Sequence, residues 1–236
     1  MNINQKIQEF LTEHQYQKKR RIFTAVLSLM IVFSVVSSLI MPAISMTMQD
    51  LDDAAAVDTI DAETWSCTWK NPRDRIFLHE KWMQYLFCEV LPFMKQAAPG
   101  QLSMTMGCSM GAFHAANLFF RFPDQFDATI CLSGVYDAAN ILGGYMDDLV
   151  YLNSPYHCLQ HMPEDHPYMA LYRRSHMYFC VGQGAWEDEL LADTRKLDSV
   201  LKAKGIPAFV DYWGYDVSHD WCWWQKQAAY FLGKIL

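Results

Sequence analysis

Residues 102–120 read LSMTMGCSMGAFHAANLFF, and the fold turns on how that stretch divides. Leu102 to Met106 has the length and composition of a buried strand, and Ala112 to Phe120 those of a buried helix. Between them stands Gly107-Cys108-Ser109-Met110-Gly111, a G-x-S-x-G. Two glycines and a serine recur by chance in tight turns, but a strand running straight into this pentapeptide and then into a helix is a nucleophile elbow. The glycines permit a sharp, strained turn that lifts the Ser109 oxygen clear of the C-terminal edge of a sheet. The N–H of Met110 would then point at the place where a tetrahedral oxyanion forms.

On either side of this stretch, strand-like and helix-like patterns alternate. Asp53–Ile60 is a short, weak strand candidate; Thr129–Leu132, Met177–Val181 and Ala208–Trp213 are stronger ones. Helical patterns start at Pro72 (ending before Pro99-Gly100), at Asp188 (ending at Gly205) and at Trp221, running to Leu236. Repeated βα units predict an α/β fold: a parallel sheet of about five strands with helices on both faces. Ala138–Arg174 fits neither pattern and reads as an insertion above the sheet.

A serine nucleophile needs a base, and the base needs an orienting acid. In the order Ser, acid, His, the histidine follows the last strand. His219 stands there, in Gly214-Tyr215-Asp216-Val217-Ser218-His219-Asp220. The acid should follow Met177–Val181, where Glu187, Asp188 and Glu189 are all available; an acid there can also simply complement a helix dipole. Glu187 is the first choice and Asp188 the alternative acid. Asp137 follows the wrong strand for this role. His114 reads as packed, His157, His161 and His166 as surface or substrate-lining residues, and Trp221, Trp223 and Trp224 as packing around the His219 loop.

Taken together, MGCSMGAFHAANLFFRFPDQFDATICLSGVYD, VGQGAWEDE and WGYDVSHDWCWWQKQAAYFL resemble the esterase D-like branch of the α/β-hydrolases. That branch includes feruloyl esterases, S-formylglutathione hydrolases and the antigen 85 mycolyltransferases. The resemblance covers roughly residues 57–236. It implies acyl-ester chemistry on a small-molecule ester or thioester: Ser109 as nucleophile, His219 as base then acid, Glu187 as its carboxylate partner, and Met110 as one oxyanion donor. It implies no cofactor and no metal. The resemblance also implies three earlier strands that have no counterpart here, so a truncated domain is expected, with a sheet edge open to self-association. The loop after the third strand carries the second oxyanion donor, and losing one donor costs roughly 10²–10³ in rate. A catalytically impaired surface module is therefore the alternative to an active esterase.

The 236 residues carry a net charge of −7, which argues against a nucleic-acid partner. The charge is uneven. Residues 1–21 hold Lys6, Lys18, Lys19, Arg20 and Arg21 against Glu9 and Glu13, a basic head on an acidic body. From Ile22 to Gln49 no side chain is charged. The sequence thus divides into a cytoplasmic head (1–21), a hydrophobic helix (22–47) and a hydrolase-like body (48–236). The helix would be a membrane anchor, or a signal cleaved after Ser45, with the body outside the cytoplasm. This segment resembles the N-terminal export regions of Gram-positive surface proteins. The seven cysteines form no C-x-x-C pair and read as small buried hydrophobes.

Overall fold

The computed structural model describes residues 26–28, 54–56 and 59–235. Along them run strands β1 (Val26–Ser28), β2 (Ala54–Ala56), β3 (Met104–Cys108), β4 (Ala128–Leu132), β5 (His176–Val181) and β6 (Phe209–Tyr212). The helices are α1 (Pro72–Tyr85), α2 (Leu91–Ala97), α3 (Met110–Arg121), α4 (Ala138–Ile141), α5 (Asp148–Leu152), α6 (Pro155–His161), α7 (Pro167–Arg174), α8 (Asp188–Ala203) and α9 (Trp221–Ile235). A π turn, Leu86–Val90, joins α1 to α2. Pro92 follows it after Leu91, and its ring and missing N–H disrupt α-helical bonding to the preceding turn.

Strands β3, β4, β5 and β6 form a parallel sheet in that order. Parallel neighbours require a crossover, and helices supply each one. Side chains alternate across the sheet, so each strand feeds two cores. Met104, Met106, Cys108, Ile130, Leu132 and Cys180 pack on Trp224, Ala228 and Phe231 of α9. Cys131, Met177 and Phe179 join a second cluster with Ala115 and Phe119 of α3 and Leu197 and Leu201 of α8. Each fully buried Leu or Phe contributes about 1.5–3 kcal/mol. Both faces of the sheet are therefore covered by helices, and the buried hydroxyls of Thr105 and Thr129 within it bond to each other.

The sheet has four strands rather than the expected five, since Ala54–Ala56, within the candidate Asp53–Ile60, pairs outside it; the four stand close to their expected positions, with one instructive shift. The sequence reading places the strand before the elbow at Leu102–Met106; β3 instead spans Met104–Cys108, and Leu102 is exposed. Extended backbone continues through Gly107 because the turn is made by Ser109 alone. The insertion at 138–174 is four short helices, α4 to α7, each started by a proline or an aspartate cap: Asp137 accepts from the Ala139 N–H, Asp147 from the Val150 N–H, and Pro155 and Pro167 open their helices. Four of the seven unpaired thiols are buried, but Cys88 and Cys222 are exposed, so Cys88 does not follow its apolar neighbours inward.

At three residues the N-terminal segment differs from the expected helix. Within the segment read as one hydrophobic helix, Val26–Ser28 is a strand, paired in parallel with Ala54–Ala56 (Val26 opposite Ala54). It lies alongside β3, at the edge that the sequence reading leaves open. A strand thus occupies a place where all early strands were expected to be missing. No helix among the described residues is long and apolar enough to cross a membrane; the remainder of 22–47 lies outside the described residues.

Candidate active site

Ser109 sits between β3 and α3 with φ 54° and ψ −123°, a conformation that costs an L-residue roughly 1–3 kcal/mol. The surrounding glycines make it attainable. A Cβ on Gly107 would stand 2.1 Å from the Gly111 carbonyl oxygen, so strand and helix can meet this closely only if residue 107 has no side chain. The Ser109 N–H donates to the Leu132 carbonyl (2.8 Å), tying the elbow to the end of β4. Met110 opens α3, where the first N–H groups have no acceptor within the helix and the dipole favours negative charge. Met110 stands where the sequence reading places an oxyanion donor.

His219 comes from the loop between β6 and α9, and its Nε2 is 2.9 Å from the Ser109 Oγ. Its Nδ1 is 3.5 Å from Oε2 of Glu187, whose side chain is only 1% exposed. That separation is longer than a formed hydrogen bond. Neither Nδ1 nor Oε2 has another hydrogen-bond partner. Glu187 is placed by the loop after β5: Gly184 donates to the Val217 carbonyl (2.9 Å), and His219 donates its own N–H to the Ala185 carbonyl (3.0 Å). A Cβ on Gly182 would meet the Val217 oxygen at 2.2 Å. Glycines therefore let the acid loop and the histidine loop lie against each other. Of the three candidate acids, Glu187 is beside His219, whereas Asp188 and Glu189 are exposed in the first turn of α8.

The other Glu187 oxygen, Oε1, accepts from the Ser133 hydroxyl (2.7 Å). Ser133 directly follows the strand predicted at Thr129–Leu132, and nothing in a Ser-Gly pair distinguishes such a role. Cys108 precedes Ser109, but burial pushes its thiol up to about 12, so it is no competing nucleophile at neutral pH. Asp137 is engaged elsewhere: it caps α4 through the Ala139 N–H (3.1 Å), with His157 Nδ1 at 3.5 Å. His166 caps α7, accepting from the Tyr168 N–H (3.1 Å). No cluster of metal-binding side chains occurs among the described residues.

A parallel α/β sheet with Ser, His and Glu converging on its C-terminal edge defines a candidate serine hydrolase of the α/β type. The sequence profile described as "Putative esterase" matches residues 31–233, and the chain belongs to that family. The match starts inside the hydrophobic run read from sequence as an export element. No curated protein matches the chain. Among solved structures, a ferulic acid esterase aligns at 22% identity and TM-score 0.52, covering 66% of this chain and 61% of its own. An S-formylglutathione hydrolase (FrmB) from Staphylococcus aureus aligns at 18% identity and TM-score 0.50, covering 69% and 63%. FphF, a fluorophosphonate-binding serine hydrolase of Staphylococcus aureus, aligns at 13% and 0.50, covering 90% and 82%. At these identities the likeness is one of fold. The chain spans about three fifths of the length of the first two.

Proposed function

We propose that this protein is a serine esterase that cleaves a small carboxylic ester or thioester through an acyl-enzyme. The observation that carries the reading is the 2.9 Å approach of His219 Nε2 to an Oγ held at an elbow with φ 54°. Ser109 donates its proton to Nε2 as Oγ attacks the substrate carbonyl carbon. The oxyanion collects on the Met110 N–H at the start of α3. His219, now an imidazolium, faces the Glu187 carboxylate through Nδ1–H, and the 3.5 Å separation leaves room for that contact to shorten as charge develops. The proton on Nε2 then passes to the departing alkoxide or thiolate as the C–O or C–S bond breaks. Water repeats the sequence on the acyl-serine and releases the acid. Hydrolysis of short-chain aryl esters and acyl thioesters by the wild type and by Ser109→Ala tests this: turnover confined to the wild type supports it, and equal turnover by both refutes it.

The same reading assigns the apolar run at 22–47 to the hydrolase body rather than to a membrane. Strand β1 beside β3 and a family match starting at residue 31 support it. Alkaline carbonate extraction of cells making the whole chain separates the cases. Release into the soluble fraction is expected, and retention with membranes would restore the anchor.

A further inference from the structure

Glu187 is a longer acid than aspartate, with one more rotatable bond, and its carboxylate sits in a pocket that excludes water. A carboxylate of that kind orients an imidazole only if something else fixes its plane. Its Oε2 has no hydrogen-bond partner and lies 3.5 Å from His219 Nδ1, so the hydrogen-bond restraint comes through Oε1. That oxygen accepts from Ser133 Oγ at 2.7 Å.

Ser133 is fully buried and has φ 49°, in the left-handed region that glycine or asparagine normally fills. Its backbone N–H donates to the Cys180 carbonyl (2.7 Å), which anchors it to the strand that leads into the acid loop. A hydroxyl has one proton to give. Here its direction is set, because Trp224 Nε1 donates to the Ser133 Oγ at 3.2 Å. With an indole N–H already directed at the oxygen, the hydroxyl proton is left for Glu187. The Trp224 ring also stands edge-on to the His219 imidazole, with centroids 4.6 Å apart and planes at 89°. One tryptophan on α9 therefore touches the base directly and the acid through Ser133.

Resting on the serine-hydrolase reading, we propose that Ser133 and Trp224 are positioning residues. The chain Trp224 Nε1–H to Ser133 Oγ–H to Glu187 Oε1 fixes the carboxylate so that Oε2 faces His219 Nδ1. Neither residue touches substrate. Their effect is on the chemical step, so kcat falls when they are altered and KM does not.

The positive φ at Ser133 supplies a test that separates positioning from folding. Ser133→Gly removes the hydroxyl but suits the backbone, whereas Ser133→Ala removes the hydroxyl and keeps the strain. The measurement is the second-order rate of labelling by a fluorophosphonate probe, with kcat and KM on a short aryl ester and the thermal midpoint of each protein. Both variants are expected to label roughly 10- to 100-fold more slowly than the wild type, the range that a hydrogen bond to a charged group supports. They should do so although Ser133→Gly melts at the higher temperature. Trp224→Phe keeps a ring against His219 and loses only the N–H, and its rate should fall by a smaller factor with KM unchanged. A wild type that does not label overturns the hydrolase reading and this proposal together. A wild type that labels, with Ser133→Gly at the same rate, overturns the role of Ser133 alone, as does a loss of rate that merely follows the melting temperatures.

Discussion

Among the described residues three histidine–carboxylate pairs occur, and the tightest is not the one at the candidate active site. His114 Nε2 is 2.8 Å from Asp61 Oδ1, with the His114 side chain wholly buried. His219 Nδ1 is 3.5 Å from Glu187, with 20% of the His219 side chain exposed. By geometry alone the first pair looks like the stronger dyad. It lacks what the second has, a nucleophile on the far ring nitrogen and a route to it. His114 Nδ1 has no hydrogen-bond partner, and its ring is packed against Phe113, Trp82 and His79. The His114–Asp61 pair staples the single turn Asp61–Glu63 to α3, the helix that begins at the elbow. The two pairs divide the work: one holds the nucleophile helix in place, and the other acts on the nucleophile.

Substitutions at the two pairs should separate along that line. The largest effect is expected from Ser109→Ala, which should lower ester turnover by roughly 10⁴–10⁶ and leave the thermal midpoint within a few degrees. Glu187→Gln keeps the volume of the buried acid and removes its charge; turnover should fall by roughly 10³–10⁴, again in the rate at saturating substrate. His114→Ala should do the reverse. Chemical denaturation is expected to show a loss of about 2–4 kcal/mol, because a large buried ring is removed and Asp61 loses its partner, while the rate per folded molecule changes by less than about threefold. A His114 variant that folds normally and loses turnover would break the division.

The smallest effect lies in the pH dependence of stability, and it belongs to the structural region. His79 is fully buried; desolvation, assisted by the neighbouring His114 and Arg121, holds it well below its usual 6.5. Trp65 Nε1 donates to its Nδ1 (3.2 Å), so a second proton would face an N–H rather than an acceptor. Below pH 6.5 the unfolded chain binds a proton that the folded chain refuses, and stability therefore falls as the pH drops, with a slope of at most about 1.4 kcal/mol per pH unit. Burial works against ionisation of Asp61 and Glu80. Even so, Asp61 is held below its usual value by His114 and Thr59, and Glu80 by Arg121 and Asn153. Both add a loss of the same sign at lower pH, where they must be protonated. Urea denaturation between pH 5 and 7 checks the first part: the slope should shrink in His79→Gln, and an unchanged slope would exclude His79 as its source.

The same contrast explains what could be read from sequence. The elbow announces itself locally, because strand, G-x-S-x-G and helix are contiguous and the two glycines have a steric reason to be there. His219 and Glu187 follow from chain order once the strands are found. The choice of Glu187 over Asp188 and Glu189 rests on burial in a loop, which sequence does not display. Ser133, Trp224 and the Asp61–His114 staple join residues 54, 91 and 53 positions apart, and no periodicity encodes such pairings. The N-terminal apolar run is ambiguous for a physical reason. A strand buried beside other strands and a helix buried in lipid are both uninterrupted runs of Val, Leu, Ile and Phe, and only the pairing of Val26–Ser28 with Ala54–Ala56 distinguishes them at those residues.

Ser109 as an activated nucleophile is the claim on which the rest depends, and the position of a covalent adduct tests it most directly. The whole chain is treated with a fluorophosphonate at neutral pH, digested and mapped by mass spectrometry. The expected result is a single phosphonylated peptide with the added mass on Ser109, absent after Ser109→Ala and strongly reduced after His219→Ala. An unmodified chain, or an adduct that persists on another residue in Ser109→Ala, would contradict the account.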